Sequence, residues 1–153
     1  MPALGAEITI GERTYRVHPN CKKERDQFEL FLHSQALAII DNLASAKVIT
    51  REERELRRTA AFHDFAAQRF ASGSQAFVDA SYTEAGVKQH LTLRIGLAHP
   101  SDQPHPDKIA DWVDGAGLSA ALATMNAADA NVPKSVSPAA TLNSGESSSA
   151  IST

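Results

Sequence analysis

The sequence is short of most features that announce a particular chemistry. It has one cysteine, Cys21, among 153 residues. No internal disulfide can form, and a lone thiol without an accompanying motif reads as structural or incidental. No stretch approaches the roughly 18 consecutive apolar residues of a membrane-spanning helix. The opening Met1-Pro2-Ala3-Leu4-Gly5 lacks the basic and apolar segments of a secretory signal. Charge of one sign is missing as well: the net charge is -3, which gives no basic face to draw in a phosphate backbone. These absences point to a water-soluble chain of the cytosol, with neither nucleic acid nor membrane as partner.

Catalytic and ligand-binding signatures are absent too. The six histidines, His18, His33, His63, His90, His99 and His105, include no i,i+4 pair able to chelate zinc from one helix face, and Cys21 has no second soft ligand beside it. There is no phosphate-binding G-x-x-x-x-G-K-[ST] loop, and Gly115-Ala116-Gly117 lacks the third glycine and preceding strand of a dinucleotide site. His63-Asp64 has no nucleophile elbow with it, so His63, on the side of Leu56, Ala60, Ala67 and Phe70, reads as a hydrogen-bonded core histidine. Asp107, Asp111 and Asp114 favour the dipole of a helix start more simply than they form an acid-base pair. No catalytic, cofactor-binding or metal-binding residue is assigned, and the chain reads as non-enzymatic.

What is present is an ordinary globular composition, 42% hydrophobic and 22% charged. The length suits one domain over 1–130 with a polar tail over 131–153, where serines abound and aromatics are missing, a composition expected to stay disordered. Near the start, EITIGERTYRV over 7–17 alternates at period two around Gly11-Glu12, predicting a β-hairpin in which glycine supplies a positive φ at the turn. That turn pairs Ile10 with Arg13, Ile8 with Tyr15 and Ala6 with Val17, and sets Ala6, Ile8, Tyr15 and Val17 on one apolar side.

Helices follow. Asn20 is a candidate N-cap for a long helix to about Ala46. Its apolar arc is wide: Phe28, Phe31, Leu32, Ala36, Ile39 and Leu43 form one stripe, and Leu30, Leu37, Ile40 and Ala44 a second. Thr50-Arg51-Glu52-Glu53 has capping-box spacing and opens a second helix, charged at first and apolar through Phe62, Phe65 and Phe70. Its arginines, interleaved with glutamates, read as a solvated first half with i,i+4 pairs. Between 76 and 98 the pattern fits helix and strand alike, and Gly86 and Gly96 weaken the helix. His99-Pro100 ends that element. Pro106 opens a short acidic helix bearing Ile109, Trp112 and Val113, broken by Gly115 and Gly117. A last helix carries Leu118, Ala121, Leu122 and Met125. The expected fold class is mainly α: an N-terminal β-hairpin, a small helical bundle and a disordered C-terminal tail.

Taken in order, the opening ITIGERTYRVHP, the amphipathic helices, a helix closing on LAHP, and then PDKIADWVD and LSAALATMNAA resemble phage tail-assembly chaperones over about residues 7–130. The resemblance implies a non-catalytic assembly factor of the host cytoplasm that binds two protein partners, the helical tape-measure protein and the tail-tube subunit. It also favours helix over strand at 87–98. The apolar face implied for the partner comprises Phe28, Phe31, Leu32, Ile39, Phe62, Phe65 and Phe70, which would receive an amphipathic helix; the bland alternative makes the same residues core. A virion connector or tail-completion subunit and a ligand-binding module with a pocket beneath Trp112 stay open, as does homo-oligomerisation.

Overall fold

A computed structural model of the chain describes residues 4–132; the expected disordered tail lies outside the described residues apart from Asn131 and Val132. The chain is mainly helical behind an N-terminal two-stranded antiparallel hairpin, as its patterning predicts. The described residues fall into two compact units, one of residues 4–20 with 94–132 and one of residues 21–93, the boundary lying within a helix.

In the first unit, β1 (Ala6–Ile10) and β2 (Arg13–Val17) pair in the predicted register, Ala6 with Val17, Ile8 with Tyr15 and Ile10 with Arg13. Gly11 takes φ 67° at the turn, the left-handed value that glycine adopts without a Cβ clash. Ile8, Tyr15 and Val17 are buried. Their cover is α5 (Pro106–Ala116) and α6 (Leu118–Ala130), with α6 against both strands and α5 against β1. Those helices bury Ile109, Val113, Ala121, Met125 and Ala128. Gly115 stays inside α5, contrary to expectation, and only Gly117, at φ 98°, breaks the chain between the helices. The cap of α5 is local: His105 Nδ1 accepts from the Asp107 N–H at 3.1 Å, with Pro106 in the first turn.

Polar contacts tie the ends of this unit. The buried Arg94 guanidinium donates to Met125 O at 3.2 Å and to Asp129 Oδ1 at 2.8 Å. Asp129 also accepts from the Asn20 N–H at 2.7 Å. Asn20 is not the helix cap that local pattern suggests: the long helix takes Cys21 as its N-cap and has no side-chain cap. His99 Nε2 accepts from the Arg16 N–H at 2.8 Å, which leaves Nδ1 to carry the ring proton toward Asp102 Oδ1 at 3.2 Å. Arg13 closes this cluster with an ion pair to Asp102, and its guanidinium lies 4.9 Å from the Tyr15 ring centre.

In the second unit, α1 (Lys22–Ser45) begins at Cys21 with no side-chain cap. α2 (Arg51–Ala66) carries the predicted capping box: the Glu53 N–H donates to Thr50 Oγ1 at 3.1 Å, and the Thr50 N–H to Glu53 Oε1 at 3.0 Å. The ambiguous stretch is helical, split into α3 (Gln75–Ser81) and α4 (Glu84–Ala98), of which residues up to Leu93 belong to this unit. Both glycines that argued against helix have tertiary reasons. A Cβ on Gly86 would lie 1.8 Å from Ala80 O, and one on Gly96, in the first unit, 2.5 Å from Gln103 Oε1.

The core of the second unit is aromatic. Phe28, fully buried, stacks on His90 at 3.8 Å and meets Phe77 edge-on at 5.1 Å. His90 Nδ1 lies 2.7 Å from Oε2 of the buried Glu24, and Nε2 lies 2.9 Å from Ser81 Oγ. His90, not His63, is thus the core histidine; His63 is exposed.

Candidate partner-binding surface

α1 and α2 form an antiparallel pair because the connection, residues 46–50, is short and the Thr50 box starts the second helix at once. Their seam is thin. Within 24 residues of α1 only Glu24 and Phe28 are buried, and within 16 of α2 only Ala61. Among the described residues α2 packs on α1 and on no other element. What joins them is largely polar and aromatic. Asp41 accepts from Arg54 Nε and from Arg58 Nη1, both at 2.9 Å. Those guanidinium hydrogen bonds, Arg54's foremost, hold the Asp41 carboxyl below the usual carboxylate range. His33 packs against Phe65 at 4.4 Å and Phe62 at 5.1 Å.

The seven apolar residues singled out above separate into three groups. Phe28 is core and drops out of any binding face, because α3 and α4 supply Phe77 and His90 against it. Phe31, tilted on Phe28 at 5.6 Å, is half-buried, as are Leu32, Phe65 and Phe70. Ile39 is 58% exposed and Phe62 49%.

The structure brings Phe62 and Phe65 together across His33, and Phe65 with Phe70 around a cavity of about 190 Å³ that Glu29 and Ala66 also line. Phe70 reaches it from a turn and not from α2: Gln68, at φ 60°, ends the helix. The adjacent Ser72 N–H donates to Glu29 Oε1 at 2.9 Å, fastening that turn to α1. Ile39 stands apart from this cluster.

Two further large apolar residues stand exposed: Leu56, which heads the apolar half of α2, is 70% exposed, and Leu30 is 56% exposed, although apolar stripes are normally covered. Sequence pattern missed the Glu24, His90 and Ser81 contacts, and they follow the order of an acid, base and hydroxyl relay. Ser81 Oγ, however, donates to Phe77 O at 2.8 Å within the last turn of α3, and the His90 ring is clamped on Phe28, so the group's role is to tie α1, α3 and α4. In the first unit, an open cavity of about 320 Å³ beside Trp112 is lined by Ile10, Gly11, Lys108 and Asp111. Among the described residues no cluster of three metal-binding side chains occurs, and no helix is long and apolar enough to cross a membrane. Compared with known proteins, the chain matches no family model, no curated protein and no solved structure.

Proposed function

We propose that this protein is a non-enzymatic assembly factor that binds a helical protein partner through its α1–α2 pair. One observation carries the reading: 40 helical residues, rich in Leu, Ile and Phe, bury only three side chains. A two-helix pair with so little covered surface gains little from hydrophobic burial on its own, at roughly 25 cal/mol per Å², and a solvent-facing set of large apolar residues marks an interaction site. The Phe65 and Phe70 cavity provides a concave seat for one apolar side chain of an amphipathic helix, and the exposed Phe62 and, on another face of α2 beside Arg51, Glu52 and Glu55, Leu56 offer further apolar contacts.

The resemblance to phage tail-assembly chaperones gives the partner its proposed identity: the tape-measure protein while it is unsheathed, with tail-tube subunits displacing the chaperone in the host cytoplasm. Affinity capture of tagged protein from cells expressing its source genome, with mass spectrometry of the bound chains, tests this. Recovery of a long helical protein or a tube subunit, lost on Phe62→Glu, is the expected result. Capture that persists unchanged in Phe62→Glu and Leu56→Glu variants would sink the assignment of this surface.

A further inference from the structure

We propose that the Phe65 and Phe70 cavity selects a cation carried on an aliphatic stem, so that the side chain entering it from the helical partner is a lysine or an arginine. This rests on the partner-binding reading above and sharpens it: the apolar part of the guest is its stem. The cavity is lined by the two phenylalanines, Ala66 and Ala71, together with one acid, Glu29, and one amide, Gln68. Glu29 is half-buried on α1. Its Oε1 accepts from the Ser72 N–H at 2.9 Å, while Oε2 has no partner among the described residues. Arg69, the basic residue of the same turn, lies 2.9 Å from Asp64 Oδ1 and is already paired.

The chemistry of the guest follows from that one free oxygen. A partner helix closing over the cavity strips water from Glu29, and a carboxylate covered without a counter-charge is strongly unfavourable. Leucine or isoleucine offers Oε2 nothing, and an acidic guest repels it, so the site rejects both. Lysine and arginine lay their methylenes along apolar surface and carry a charged donor at the tip, which meets the carboxylate in a charge-assisted hydrogen bond. Two phenyl rings beside the same cavity favour a cation further. Glu29 is also held in place in advance: the Ser72 bond that fastens the Phe70 turn to α1 fixes one carboxylate oxygen and thereby the direction of the other. The partner helix is therefore expected to carry one basic residue within its apolar stripe.

Two small probes test the selectivity without any partner protein: n-butylammonium, which is the lysine side chain alone, and 1-butanol, the same stem without the charge. Each is titrated into the full chain, with the Ser72 amide and the Phe65 and Phe70 ring protons followed by nuclear magnetic resonance. Butylammonium is expected to bind roughly fivefold or more tightly than 1-butanol. Equal binding of the two, or no saturable shift with butylammonium, overturns the proposal on the unaltered protein. Glu29→Gln retains an oxygen for the Ser72 N–H, so helical circular dichroism should be unchanged while the preference for the cation disappears; a preference that survives also overturns it. Cation selectivity without partner capture, or capture without cation selectivity, tells the failure of one reading from the failure of the other.

Discussion

The two helix pairs of this molecule, α5 with α6 and α1 with α2, handle apolar surface in opposite ways. The first has 24 residues, 11 in α5 and 13 in α6, and buries five apolar side chains: Ile109, Val113, Ala121, Met125 and Ala128. The second has 40, 24 in α1 and 16 in α2, and buries two apolar side chains, Phe28 and Ala61, together with Glu24. The difference does not come from composition, since α1 alone carries four leucines, two isoleucines and two phenylalanines. It comes from neighbours. α5 and α6 have a β-hairpin against them, whereas α2 has only α1. An amphipathic stripe therefore reports what a helix is built to meet, and on α1 beyond Phe28 its own unit does not supply it.

The comparison breaks most sharply at Phe28, the one place where α1 is packed like α5 and α6. Phe28→Ala would open a cavity between Phe77 and His90 and remove a fully buried ring, at a cost of about 3–5 kcal/mol. Urea unfolding should show most of the stability of residues 21–93 lost. A loss no larger than that of Ile39→Ala would mean that Phe28 is not the anchor of this unit. Gly86→Ala comes next. Helix propensity favours alanine by up to about 1 kcal/mol, but its Cβ would lie 1.8 Å from Ala80 O, and the forced backbone shift costs about 1–3 kcal/mol. A lower Tm is expected; an increase would show that α3 and α4 yield freely.

These positions also show where sequence pattern stops. The hairpin register was legible because period-two alternation and one glycine fix it within 11 residues, and the Thr50 box because both of its hydrogen bonds span three residues. Asn20 fits the local cap pattern, yet α1 starts one residue later at Cys21 without a side-chain cap, and the Asn20 N–H instead binds Asp129 far along the chain. Gly86 and Gly96 argued against helix until Ala80 and Gln103 came into view. His63 and His90 were interchangeable on a one-dimensional pattern; only the fold sets Glu24 beside one of them. Of the apolar set on α1 and α2, Phe28 and Ile39 occupy the same predicted stripe, and the reach of α3 and α4 decides that one is core and the other exposed.

Smaller effects sharpen the contrast at the α1–α2 seam. Thr50→Ala removes the hydroxyl that accepts from the Glu53 N–H and should cost about 1 kcal/mol, seen as fraying of α2 by hydrogen exchange. Acid acts on the same seam. Because the Asp41 pKa is lowered by Arg54 and Arg58 in the folded chain, its contribution is present above the unfolded-state pKa and is lost as pH falls through the lower folded value. Asp102, lowered chiefly by Arg13, follows the same sign in the first unit. Asp41→Asn should flatten the acid limb of the α1–α2 amides and leave that of β1 and β2 unchanged; parallel flattening of both would tie the two limbs to a common unfolding.

The smallest stability change belongs to the surface with the largest proposed role. Leu56 is 70% exposed, and its neighbours on α2, Glu52 and Glu55, are solvated. Leu56→Glu leaves every buried side chain in place, so unfolding free energy should move by no more than about 0.5 kcal/mol. Against a helical partner the same change sets a carboxylate at an apolar contact, where desolvation is unfavourable unless a cation meets it. The expected signature is a split: an unchanged Tm with partner capture lost. If Leu56→Glu instead lowered Tm as Phe28→Ala does, Leu56 would be covered within the folded chain, and the contrast between the two helix pairs would lose its clearest exposed residue.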